Sequence, residues 1–142
     1  MKILILNGPN LNLIGKREPE IYGNQSLDDF LDAMKTRFDG CEIDKFQTNH
    51  EGVLIDKLHE AMGKYDGIVM NPGGYAHTSI ALADAVKAIG IPVVEVHISN
   101  IYEREEYRHH SYTAEAAAHS IVGHGLEGYA EAVEYLVKYW VF

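Results

Sequence analysis

The residues best suited to move protons in this chain lie in three segments, each reached at the end of a short apolar run. Residues 7–23 follow the run 3–6, residues 71–79 follow 68–70, and residues 95–100 close the run 92–96. The first segment carries a guanidinium, Arg17, and a phenol, Tyr22, a few residues apart. A tyrosine ordinarily ionises near pH 10, so it is a poor base at neutral pH, and lowering it by about three units takes roughly 4 kcal/mol of preference for the phenolate. One guanidinium about 4 Å away, at an effective dielectric of about 20, supplies about that much. Arginine suits the task because it keeps its own proton, where a lysine could exchange one with the phenol. Two readings therefore fit the spacing: a surface ion pair with a packed tyrosine, or a tyrosinate base.

The second segment breaks from a strand pattern into Gly73 and Gly74. Missing side chains there allow the backbone to approach a ligand, although a tight strand-to-helix turn explains the same pair. Asn71, His77, Thr78 and Ser79 form a polar cluster around them. His77, placed near a helix start, is expected to act as a neutral hydrogen-bond partner, since that position disfavours a cation. In the third segment His97 follows a buried strand, with Glu95 before it and Ser99 after. Glu95 shares a face with His97, and can orient it, only if extended geometry persists between them. Downstream, 103–110 is charge-dense; Arg108 is the residue expected in a pocket, and Arg104 the one expected to be held by acidic neighbours.

Positioning these groups requires a scaffold whose strand ends converge. The runs 3–6, 68–70 and 92–96 are nearly continuous in apolar residues, as for strands covered on both faces. Residues 42–47 alternate, which fits a half-exposed edge strand, and 120–123 supply a short fifth strand, also at an edge. Helical spacing links Leu27, Phe30, Leu31, Met34 and Phe38, with Ser26 and Asp29 as a capping signal. It also links Leu54, Leu58 and Met62; Leu82, Val86 and Ile89; and Leu126, Tyr129, Val133, Leu136, Val137 and Trp140. The order β-α-β-α-β-α-β-(loop)-β-α predicts an α/β fold: a flavodoxin-like, doubly wound, open parallel sheet of five strands in the order 2-1-3-4-5. Ligands then bind at the carboxyl ends of strands one, three and four. The long first loop, residues 8–24, is expected to serve as a lid over a single catalytic domain spanning 1–142.

With 142 residues, 46% of them hydrophobic and 23% charged, the chain has the size and balance of one globular domain. No apolar run approaches the roughly 20 residues of a membrane span, and the apolar start is too short for a signal peptide, so no membrane association and a cytoplasmic location are expected. A net charge of −9 argues against nucleic acid as a partner. With four arginines against 21 acidic residues, an anionic substrate would need a locally positive pocket. Cys41 is single, with no basic residue beside it, and reads as an inert packed thiol. His59-Glu60 begins like a zinc-protease motif, but residue 63 is glycine, so the motif fails.

Together the stretches NGPNLNLIGKREPEIYG, NPGGYAHTSIALADA and EVHISNIYEREEYRHHSY, with the 123–129 region, resemble the type II 3-dehydroquinate dehydratases nearly end to end. The resemblance implies a lyase that dehydrates 3-dehydroquinate to 3-dehydroshikimate by anti elimination through an enolate, with no cofactor and no metal. By the same resemblance Tyr22 is the base, Arg17 stabilises the phenolate, His97 protonates the departing hydroxyl under the orientation of Glu95, and Asn10 helps position a water at the enolate oxygen. Asn71, His77, the Ile98–Ser99 pair and Arg108 are implied substrate contacts, and Gly73 and Gly74 are expected to join them through their backbone. Asp84 is implied to reach the site of a neighbouring subunit in a homo-oligomer, a dodecamer of four trimers. His124, between Gly123 and Gly125, stands where an apolar residue is expected, and His109-His110 is assigned no metal role. A related sugar-acid or cyclitol lyase, a flavodoxin-like binding module and an inactive assembly homologue are the competing classes. Pro9, Leu11, Leu13 and Arg17 make the first loop a poor phosphate cradle for the binding module.

Overall fold

The structure is a computed structural model that describes residues 1–15 and 25–139. Five strands, β1 (Lys2–Asn7), β2 (Glu42–Gln47), β3 (Gly67–Asn71), β4 (Val93–His97) and β5 (His119–Val122), form one sheet in the order β2-β1-β3-β4-β5. Every pairing is parallel. The expected topology is found, with the alternating segment at one edge and the short fifth strand at the other.

Successive β1 residues point to opposite faces, and both faces are covered. Ile3 and Ile5 join Val69, Val94 and Val96 beneath α1 (Leu27–Lys35) and α5 (Glu127–Tyr139), while Leu4 and Leu6 join Ile68, Met70 and Val93 beneath α2 (Glu51–Ala61) and α3 (Ile80–Ala88). This two-sided burial is the reason that the central strands lack polar alternation. It leaves the strand ends as the place where polar side chains can gather.

The caps follow side-chain chemistry. Ser26 Oγ accepts the Asp29 N–H at the start of α1, as its spacing predicts, and Ser79 Oγ accepts the Leu82 N–H at 2.9 Å to start α3. Ser79 is buried in that role, so it belongs to the helix start rather than to a ligand-facing cluster.

Two boundaries differ in ways that matter to the site. The fourth strand runs one residue further than expected and ends on His97 itself, which pairs with Val122 of β5. The segment between β4 and β5, expected as a loop, contains 3-10 turns at Ile101–Glu103 and Glu106–Arg108 and a short helix, α4 (Tyr112–Ala116). Ser111 Oγ caps α4 by accepting the Ala114 N–H at 3.1 Å. One turn of helix leaves no period to detect in a sequence, which is why it was not expected.

Candidate active site

The carboxyl ends of β1, β3 and β4 surround a cleft of about 160 Å³. Three connections build its wall: the turn after β1, the 3-10 turn Gly73–His77 after β3, and the segment from Ile98 to Arg108 after β4. The first two are pressed together. A Cβ added to Gly8 would stand 2.6 Å from the Pro72 carbonyl oxygen, and Gly73, at φ +60°, has the Pro9 carbonyl 3.1 Å from where its Cβ would be. Glycine is needed at both places for close backbone packing. An added Cβ at Gly74 would meet nothing within 4 Å, and Gly74 borders the cleft.

Asn71 ends β3 and is buried at the cleft floor. Its Oδ1 accepts the Gly73 N–H at 3.1 Å and its Nδ2 donates to Tyr129 Oη at 3.1 Å. Tyr129 Oη in turn donates to Asn7 Oδ1 at 2.6 Å. The chain of bonds fixes which way the Asn71 amide faces and leaves the second Nδ2 hydrogen for a ligand. Burial pushes the Tyr129 phenol well above its ordinary range, so it serves as a neutral bridge. Neither Asn7 nor Tyr129 was singled out from the sequence; the helical spacing marked Tyr129 only as core.

Asn10 lines the cleft in a left-handed conformation, φ 70°, with its N–H donated to Asn49 Oδ1 at 3.1 Å. Gln47 Nε2 donates to the same oxygen at 3.1 Å and to the Gly8 carbonyl at 3.0 Å. Thus the end of the edge strand props the first turn, a contact across 39 residues of chain that no local pattern reveals.

The strand geometry that Glu95 and His97 require is present. Both lie in β4 and are buried, and His97 Nε2 donates to Glu95 Oε2 at 2.7 Å. That leaves Nδ1 as the ring nitrogen able to serve a ligand. Glu95 accepts two further bonds, from Ser111 Oγ at 2.6 Å and from Thr113 Oγ1. Ser111 and Thr113 were not foreseen, because the turn carrying them was read as loop.

His77 faces His97 across the cleft, with ring centroids 5.9 Å apart. Its Nδ1 donates to the His110 carbonyl at 2.8 Å, which leaves Nε2 as an acceptor toward the cleft. Its pKa lies below the ordinary histidine value, first because it is buried and then because His97 and Arg108 are near; the His110 carbonyl and Glu95 oppose this in part. The neutral state expected for His77 is therefore supported, but by burial: the residue precedes the Ser79 cap and is not in the first turn of α3.

Arg108 lines the cleft with Nε bound to Glu105 Oε2 at 2.6 Å. Arg104, expected to be held by its acidic neighbours, also lines the cleft. Its carbonyl accepts from His109 Nε2 at 3.1 Å. Among the described residues the lining contains both guanidiniums and no Asp or Glu, a local reversal of the chain's net charge of −9. Ile98 and Ser99 complete this side of the wall. Asp84 does not: it is exposed on α3, one turn from Ile80, which is 60% exposed. Arg17, Tyr22 and most of the expected lid lie outside the described residues, as does Trp140. His124 Nδ1 bonds Glu131 at 2.9 Å on the surface. No cluster of three or more His, Cys, Asp or Glu side chains suited to a metal occurs among the described residues, and no helix among them is long and apolar enough to cross a membrane.

Comparison with known proteins places the whole arrangement. The family model "Dehydroquinase class II" matches residues 1–137. The chain is 56% identical to 3-dehydroquinate dehydratase 1 of Corynebacterium efficiens over 139 residues, 96% of this chain and 92% of the other. It is 50% identical to catabolic 3-dehydroquinase 1 of Fusarium vanettenii, covering 96% of each. Among solved structures, the type II dehydroquinase of Butyrivibrio crossotus superposes with a TM-score of 0.94 at 46% identity, covering 97% of this chain and 98% of that one. A 3-dehydroquinate dehydratase-like protein from Bifidobacterium longum gives 0.71 at 30% identity, covering 100% and 99%. This chain belongs to the class II dehydroquinase family.

Proposed function

We propose that the protein is a 3-dehydroquinate dehydratase, a hydro-lyase releasing 3-dehydroshikimate and water. The observation that supports this most is the cleft itself: a buried Glu95–His97 pair beside two guanidiniums, with no acidic residue in the described lining. That setting favours a small anionic substrate and offers it a proton donor. The relatives named for this reaction, 56% identical to this chain, fit the same reading.

In the proposed reaction the Tyr22 phenolate, stabilised by Arg17, takes the proton alpha to the ketone. The electron pair moves into the carbonyl to give an enolate, whose charge Asn10 helps to neutralise by positioning a water. Collapse of the enolate expels the hydroxyl beta to the ketone on the opposite face, and His97 protonates it from Nδ1 while Glu95 holds Nε2. One water leaves; Tyr22 ends protonated and His97 neutral, and proton exchange with solvent resets both. Asn71, His77, Gly73 and Gly74 hold the ring from one side. Ile98 and Ser99 grip the carboxylate, and Arg108 meets the ring hydroxyls. Arg104, also on the wall, adds positive potential. No cofactor or metal enters this scheme.

Residues 1–142 act as one catalytic domain, with 8–24 as its lid. Asp84, exposed and away from its own cleft, is proposed to reach the site of a neighbouring subunit in a dodecamer of four trimers, in the cytoplasm. Turnover of 3-dehydroquinate, followed by the ultraviolet absorbance of the enone product with and without a metal chelator, tests the proposal. Equal turnover in both conditions is expected; none in either would overturn it.

A further inference from the structure

We infer that Thr113, assisted by Ser111, is a positioning residue that keeps Glu95 a carboxylate and thereby sets how readily His97 releases its proton. The inference rests on the reading of His97 as the acid. Glu95 is 0% exposed and receives three donors: His97 Nε2, Ser111 Oγ and Thr113 Oγ1. Ser111 Oγ accepts the Ala114 N–H and donates to Glu95 Oε2 at 2.6 Å, with Thr113 Oγ1 3.2 Å away. Thr113 is itself 0% exposed and donates to the other carboxylate oxygen. An ionised carboxylate is an acceptor-only group that takes all three bonds, and each donor favours its charged form. The two hydroxyls come from α4 and its cap, so the short helix that packs against α3 and the Gly73–His77 turn also holds the acid in register.

The consequence is directional. Donors to the carboxylate stabilise its charged form. Their loss makes the Glu95–His97 pair hold its shared proton more tightly, which weakens His97 as an acid. Several other charged or titratable groups face the pair and stay unchanged in the test. On the cleft side these are His77, Arg104 and Arg108; behind it, Tyr102, His109, His110 and Glu115 line a second cavity of about 270 Å³ that reaches Glu95 and His97.

The test compares Thr113→Val, which matches the buried shape without the hydroxyl, with Thr113→Ser, which keeps it. Thr113→Val is expected to lower kcat about tenfold, equivalent to about 1.4 kcal/mol, with KM within about twofold. It is also expected to move the alkaline limb of the pH–rate profile to higher pH. Thr113→Ser is expected to restore all three. Histidine-selective nitrogen NMR, with His97 assigned by its loss in His97→Gln, should show the imidazole nitrogens shifted in Thr113→Val and unmoved in Thr113→Ser. This readout does not depend on the substrate, so it decides the inference even if 3-dehydroquinate proves not to be turned over. Unchanged imidazole resonances in Thr113→Val overturn it, as does an equal loss in both variants that tracks a fall in thermal stability.

Discussion

Replacing Glu95 by glutamine probes the candidate acid with little change of shape. The amide oxygen can still accept from His97 Nε2 and Ser111 Oγ, while the amide nitrogen turns to Thr113, whose hydroxyl can rotate to accept. What disappears is the negative charge beside a ring that carries a proton when it acts. The hydrogen bond is 2.7 Å long; with charge centres roughly 4 Å apart and an effective dielectric of about 20, the lost attraction is about 4 kcal/mol. Partial reorganisation reduces this, so kcat is expected to fall by about 10² to 10³ at neutral pH. KM should change little, because Glu95 lies behind His97 and does not line the cleft. Steady-state enone assays across pH, with a thermal melt as the folding control, measure this directly. A kcat within about threefold of wild type in a folded Glu95→Gln protein refutes the assigned partnership, as does a loss carried wholly by KM.

Other outcomes follow from the proposed reaction and from the contacts of the described residues. Arg17→Lys should cost far more in kcat than its retained charge suggests, and comparable rates at every pH in the enone assay would count against a guanidinium-stabilised phenolate. Mixing inactive Asp84→Ala and Tyr22→Phe subunits should recover part of the activity if Asp84 serves a neighbouring site; none, with subunit exchange verified, would count against it. Tyr129→Phe leaves Asn7 Oδ1 and an Asn71 donor short of a buried partner, and should cost about 1–3 kcal/mol in denaturant unfolding. For His77, whose pKa is lowered in the fold, both states are neutral above the ordinary histidine value and there is no contribution. As pH falls below that value the unfolded chain takes up a proton that the fold resists, so stability should decline, and His77→Gln should reduce that decline in unfolding measured across pH.

The architecture was readable because each central strand is covered on both sides, which forces continuous apolar runs, and because 42–47 alternates as an edge strand must. The Glu95–His97 pair was readable for a related reason: strand period two puts both side chains on one side, and β4 keeps that geometry through its last residue. Contacts made by folding rather than by local pattern were not readable. Ser111 and Thr113 meet Glu95 across 16 and 18 residues, and Tyr129 meets Asn7 across 122. The place of Arg104 on the cleft wall was not readable, because it depends on the 3-10 turns after β4, which carry both arginines there. The lowered pKa of His77 comes first from burial, not from a helix start, which falls beyond it at Ser79.

The proposed reaction depends on a phenolate supplied by Tyr22 to remove a carbon-bound proton. Parallel measurement of 3-dehydroquinate binding by calorimetry and of its dehydration by enone absorbance, in wild type and Tyr22→Phe, addresses it most directly. Tyr22→Phe is expected to bind substrate with nearly wild-type affinity and to lose nearly all turnover. A Tyr22→Phe protein that retains most of the wild-type rate would contradict it.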